Sequence, residues 1–181
     1  MKQLLSVLYA PVDYIHPQRF KSLGSPQGPV QQQLLNSHIL AHFGLCSDLP
    51  TAATSVLMRT LVSNWRYLRV AATLLGCKLG RADFVRSGQL ASLSLMQQRY
   101  LGLPIITPQI ALPDQGCSQT RAQALGASYL LLFVPQLPLP LAQRLPLLFA
   151  PEQLNIAMPS GLEPNYTLLN FAIDYAKTNY P

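Results

Sequence analysis

Acidic side chains are scarce in this chain: Asp and Glu together number 7 among 181 residues, and all charged residues reach only 11%. The seven are Asp13, Asp48, Asp83, Asp114, Glu152, Glu163 and Asp174, well separated in sequence, so no local carboxylate pair is available for acid–base or glycoside chemistry. A GxSxG elbow, a GxxxxGK[ST] phosphate loop and a GxGxxG fingerprint are also missing. Those gaps weigh against hydrolases, nucleotidases and dehydrogenases, and the chain is read as a non-enzyme with no catalytic residues and no cofactor. There is no CxxC, and Cys46, Cys77 and Cys117 are an odd number in a chain whose length does not need disulfides, which indicates a reducing compartment. Long apolar runs are lacking as well. The uncharged stretch between Arg121 and Arg144 is interrupted by Pro135, Pro138 and Pro140, so it is no clean spanning helix. Leu4 to Ala10 is too short and too closely followed by Pro11 for a secretory signal, and is read as the first buried element.

What is present is a 49% apolar composition and a net charge of +6 that comes more from missing acids than from abundant bases. So little charge leaves a surface of Gln, Ser, Asn and Pro, with some apolar area for a partner. The positive excess suits an acidic protein surface, a nucleic acid or an anionic membrane equally. No internal repeat or dividing linker is evident, and residues 1–181 are expected to form one domain.

The chain is organised around Ala52 to Leu101. There Ala53, Leu57, Leu61, Trp65, Leu68, Ala72, Leu75 and Leu79 recur every three or four residues, which puts them on one buried helical face. Arg59, Ser63, Arg66, Arg69 and Thr73 lie opposite as a basic stripe. Thr51 is the expected N-cap, and a bend near Arg66 or an end at Gly76 is expected because one continuous helix would be about 40 Å long. Short helices follow over residues 79–86 and 88–101, the second with Leu93, Met96 and Tyr100 on one face. Upstream, Val30 to Phe43 reads as a helix with Val30, Leu34, Leu35 and Ile39 inward. Residues 102–116 are Pro-rich and β-branched, with room for an edge strand or hairpin, and Gln119 to Val134 suits either a helix or a buried strand. Asn165 to Thr178 is an amphipathic closing helix through Leu168, Phe171, Ala172 and Tyr175. The expected fold is mainly α: a single-domain, bundle-like arrangement with Pro-rich irregular segments and, at most, a small β-hairpin.

Three local patterns suggest chemistry. His38 and His42, four apart with Cys46 beyond, have a metal-like spacing, but no fourth ligand and no HExxH glutamate accompany them, so structural histidines are expected and no metal site is assigned. Asp13 and His16 are expected to fix the turn before Pro17 rather than to form a catalytic pair. Residues 71–86, a helix, a glycine turn and a second helix with Lys78, Arg81 and Arg86, have the outline of a helix-turn-helix, which is the alternative reading as a nucleic-acid-binding protein. A PxxP spacing between Pro135 and Pro140 lies among leucines and is read as core-wrapping.

Three separated blocks resemble one family. Tyr14-Ile15-His16-Pro17-Gln18-Arg19 is similar to its N-terminal turn. Trp65-Arg66-Tyr67-Leu68-Arg69, Leu74-Leu75-Gly76-Cys77-Lys78 and Arg81-Ala82-Asp83 are similar to its helical core. Leu141-Ala142-Gln143-Arg144-Leu145-Pro146-Leu147-Leu148-Phe149, then Tyr175-Ala176-Lys177, completes the order. The family is the OrgA, MxiK and YscK/PscK type of type III secretion accessory protein, SctK, and the likeness is greatest to its OrgA branch. The resemblance implies a cytosolic, helical adaptor of the bacterial injectisome sorting platform, at its cytoplasmic face. It implies a link between the inner-membrane ring protein SctD and the pod protein SctQ, with indirect connection to SctL and the ATPase SctN. It brings no catalytic site, no nucleic acid and no membrane insertion. On this reading Arg59, Arg66, Arg69, Lys78, Arg81 and Arg86 are the candidate partner contacts. Tyr14, His16, Pro17, Arg19, Trp65, Leu75, Gly76, Arg144, Pro146 and Phe149 are the structural motif residues.

Overall fold

A computed structural model describes residues 2–19, 28–49, 55–108, 110 and 118–180. Among them every regular element is helical: α1 (Lys2–Tyr9), α2 (Pro29–His42), α3 (Val56–Ser63), α4 (Leu68–Leu79), α5 (Arg81–Arg86), α6 (Leu95–Gly102), α7 (Gln119–Leu131), α8 (Leu139–Arg144) and α9 (Tyr166–Asn179), joined in places by 3-10 turns. The expected mainly-α class is what the chain adopts. Residues 103–108 are irregular, Gln119 to Leu131 is helix rather than strand, and the rest of the hairpin candidate lies outside the described residues. The same holds for Phe20 to Gln27, for Cys117 and for the expected cap Thr51; the cap observed is Ser55, whose side chain accepts from the Met58 amide.

The chain divides into two compact units, Met1–Arg66 with Val134–Pro151, and Tyr67–Phe133 with Glu152–Pro181. In the first unit the central stripe begins as read. Leu57 and Leu61 of α3 are buried, and Asn64 ends that helix in a 3-10 turn at Trp65–Tyr67 near the bend expected at Arg66. Trp65 is 6% exposed and meets the Tyr14 ring edge-on, with centroids 5.5 Å apart. This edge-to-face arrangement is favoured by the ring quadrupoles. The Tyr14 hydroxyl donates to the Val7 carbonyl of α1 at 2.9 Å.

α2 forms where expected but is rotated. Val30 and Leu34, read as inward, are 70% and 65% exposed, and Ile39 is the buried residue of the helix. The rotation has a polar cause. Asn36 Oδ1 accepts from the Val12 amide at 2.9 Å and Gln32 Nε2 donates to Asp13 at 2.8 Å, so the 3-10 turn Pro11–Asp13 fixes the side of α2 carrying Gln32, Asn36 and Ile39.

The second unit is built on α4. Leu68, Ala72, Leu75 and Leu79 of the stripe are all buried, and so are Ala71, Leu74 and Cys77, so α4 is covered on nearly every side. α4 does not end at Gly76 but runs on to Leu79, because Gly76 is a packing residue. A Cβ there would lie 1.7 Å from the Ala122 carbonyl oxygen of α7, and one at Gly126 of α7 would lie 1.7 Å from the Ala72 carbonyl oxygen. Ala72 and Gly76 therefore face Ala122 and Gly126, and the two backbones touch directly. α9 closes this unit with Leu168, Leu169, Ala172, Ile173 and Ala176 buried, capped by Asn165. Phe171, expected inside, is 53% exposed.

Candidate partner-binding surface

The polar groups with chemical potential are spread apart and engaged in structural roles. The His38 and His42 rings stack 6.0 Å apart on the exposed side of α2, with His42 edge-on to Phe43 at 4.8 Å. Cys46 turns instead to Asp48, its Sγ donating to the carboxylate at 3.4 Å, and no group of three or more metal-ligating side chains occurs among the described residues. Asp13 is bonded to Gln32, while His16 Nδ1 accepts from the Gln18 amide at 3.2 Å, so each holds a turn. A groove of about 350 Å³ beside Tyr9, Gln33 and Asn36 presents amides and hydroxyls, with no carboxylate or histidine in its wall.

The basic residues fall into two classes, and the motif arginines are the interior one. Arg144 at the end of α8 is fully buried. Its Nη1 donates to the carbonyls of Cys46 at 2.7 Å and Pro140 at 2.8 Å, and its Nη2 to that of Leu8 at 2.7 Å. Burial lowers the pKa of this guanidinium, and the Tyr14 side chain, hydrogen-bonded to it, pulls the other way. Arg19 Nε donates to the Phe149 carbonyl at 2.7 Å, and the His16 amide to the Leu147 carbonyl at 2.8 Å. Tyr14-Ile15-His16-Pro17-Gln18-Arg19 is thus knitted to Arg144-Leu145-Pro146-Leu147-Leu148-Phe149. Pro17 opens one 3-10 turn, Pro146 lies in another, and Phe149 is buried.

Lys78 also belongs inside, which corrects its place among the surface contacts. It is 1% exposed, and its ammonium donates to the Leu101 carbonyl at 3.0 Å and the Leu103 carbonyl at 2.5 Å, at the C-terminal end of α6. That end carries unpaired carbonyls and negative partial charge, which accommodates a buried cation. Burial lowers the Lys78 pKa, with repulsion from Arg81 second.

The remaining candidates are at the surface. Arg59 on α3 and Arg66 in the following turn are exposed in the first unit. In the second, Arg69 is half-buried, and Arg81 and Arg86 are exposed on α5, Arg86 lying 3.4 Å from Asp83. The helix-turn-helix outline loses its recognition helix here: α5 has 6 residues, about 9 Å, and Lys78 faces the core. Sequence reasoning named Arg144 a structural motif residue but missed the burial of Lys78, whose acceptors lie 23 and 25 positions away in the chain. It also missed Gly126, whose spacing of four from Ala122 matches that of Gly76 from Ala72 and was the available signal.

No helix among the described residues is long and apolar enough to cross a membrane. The chain matches the family described as bacterial type III secretion apparatus protein (OrgA_MxiK) over residues 4–178. It is 30% identical over 178 residues to the oxygen-regulated invasion protein OrgA of Salmonella typhimurium strains SL1344 and LT2, covering 97% of this chain and 86% of each relative. No solved structure matches it.

Proposed function

Because the chain belongs to the OrgA_MxiK family of bacterial type III secretion apparatus proteins, we propose that it is a non-enzymatic adaptor of the injectisome sorting platform, joining a SctD-type inner-membrane ring protein to a SctQ-type pod protein. It works at the cytoplasmic face of the machine and connects through the pod to SctL and the SctN ATPase. The observation that carries this reading is the family match over residues 4–178. The motif blocks support it, because they supply Gly76 on the α4 side of the α4–α7 crossing and the Arg144 and Arg19 anchors, which are structural roles. On this reading Arg59, Arg66, Arg69, Arg81 and Arg86 supply steering and rim contacts, while exposed apolar side chains supply most of the affinity.

Capture assays with purified SctD-type cytoplasmic domain and SctQ-type protein test it. The adaptor is expected to hold each partner and to bring both into one complex that neither forms alone. If the purified protein captures neither, the adaptor reading falls.

A further inference from the structure

Residues 81–92, which comprise α5 and the 3-10 turn Gln89–Ser92, turn almost every side chain outward. Phe84, fully buried, and Leu93 at the segment's end, 3% exposed, root it in a cluster with Cys77, Leu101 and Ala122. Gly88 supplies the turn between the two short helices with φ of 69°, a left-handed conformation that suits glycine. Phe84, Leu93 and Gly88 thus hold the segment's conformation while Arg81, Ala82, Val85 and Arg86 are left exposed.

Those outward side chains are an unusual set. Arg81, Ala82, Val85 and Arg86 occupy positions i, i+1, i+4 and i+5 of α5 and so share one face. Val85 is 55% exposed between the two arginines, and Leu90 adds a further apolar side chain at 36%. The one acid of the segment, Asp83, has a side chain only 13% exposed and is directed at Arg86, whose own side chain is 76% exposed. A face with a cation at each end, aliphatic groups in the middle and its carboxylate turned inward is complementary to carboxylates flanking an aliphatic side chain. A phosphate backbone would use the arginines but gain nothing from Val85 and Leu90.

We propose that this α5 face is a docking site for an acidic segment of a partner protein, in which two carboxylates pair with Arg81 and Arg86 and a Leu, Ile or Val side chain covers Ala82 and Val85. The proposal rests on the adaptor reading, since the partner it fits is one of the two platform proteins, and it adds an apolar anchor that the basic stripe lacks.

The test compares wild type, Arg81→Glu with Arg86→Glu, and Val85→Ser for capture of the SctD-type cytoplasmic domain and the SctQ-type protein at low and physiological salt. Each variant's helical CD spectrum and melting temperature are recorded alongside. For one of the two partners, the arginine double reversal is expected to weaken capture at least tenfold and to remove most of its salt dependence. Val85→Ser is expected to weaken the same partner about threefold or more with salt dependence retained, and both variants are expected to melt as wild type. Wild-type capture with both variants binding equally well would overturn the α5 site and leave the adaptor role standing. Capture of neither partner by wild type would overturn both. Loss of duplex DNA or anionic-vesicle binding in the arginine variant, with protein capture unchanged, would assign the face to phosphate and overturn the proposal.

Discussion

Arg144 shows what a single side chain does in this fold. Its buried guanidinium is held by carbonyls from α1, from the segment after α2 and from its own helix, at Leu8, Cys46 and Pro140. Each such bond involves a charge, so Arg144→Met is expected to lower unfolding stability by about 3 kcal/mol or more in urea titration. Arg144→Lys should recover only part of that loss, because an ammonium cannot span the same fork of acceptors. The buried tyrosines give a second expectation. Tyr14, Tyr100 and Tyr129 have pKa values raised mainly by burial. Above pH about 10 the unfolded chain therefore releases phenolic protons that the folded chain retains, and stability falls. Lys78, depressed by burial, acts in the opposite direction between its folded pKa and the ordinary lysine value, and the guanidiniums of Arg69 and Arg144, lowered by burial, do the same below the ordinary arginine value. Melting temperature should drop between pH 9 and 11, and Tyr100→Phe should flatten that drop. At neutral pH Tyr100→Phe should cost little, since the buried Tyr100 hydroxyl has no partner among the described residues. At this scale the sequence was partly legible. Trp65 and the leucines read correctly as core because their environment follows from helical spacing, and Arg144 was placed among the structural motif residues, whereas Lys78 read as a surface contact. Its acceptor Leu101 lies 23 positions away, and Leu8, one acceptor of Arg144, lies 136 positions away, beyond the reach of any local pattern.

Among the elements, the α4–α7 crossing is the most exacting. Gly76→Ala or Gly126→Ala would push a methyl group into a backbone carbonyl of the opposite helix, so the helices must part along a fully packed contact. A loss of about 3 kcal/mol or more is expected for either, against a helix propensity that alone would favour alanine by about 1 kcal/mol. The sign of the measured change separates packing from propensity. Ser55→Ala at the start of α3 is expected to cost about 1 kcal/mol by removing the acceptor for the Met58 amide. Helix existence was readable for α2, α4 and α9, and the break near Arg66 as well, because apolar periodicity survives there. Orientation was less readable. α2 is turned by Asn36 and Gln32, and Phe171 stays outside while Ile173 is buried, choices made by neighbours rather than by the helix itself.

For the whole molecule, the chain passes between its two compact units at residues 66–67, 133–134 and 151–152. We propose that these repeated crossings make residues 1–181 one cooperative domain, as composition suggested. Trp65 lies in the first unit and reports on it by fluorescence, whereas far-UV circular dichroism reports on helices of both. The two signals are expected to change at the same urea concentration; separated midpoints would establish two independently folding units. The interleaving also sets an order in time. During synthesis Leu8 and Cys46 leave the ribosome early, but the guanidinium that binds their carbonyls is encoded 136 and 98 positions later, a delay of roughly 5–30 s. Until residue 144 emerges, the carbonyls of Leu8 and Cys46 lack this donor. A chain truncated before that codon therefore lacks the side chain that joins α1 and the segment after α2 to α8, and is expected to be cleaved by protease where the full chain resists.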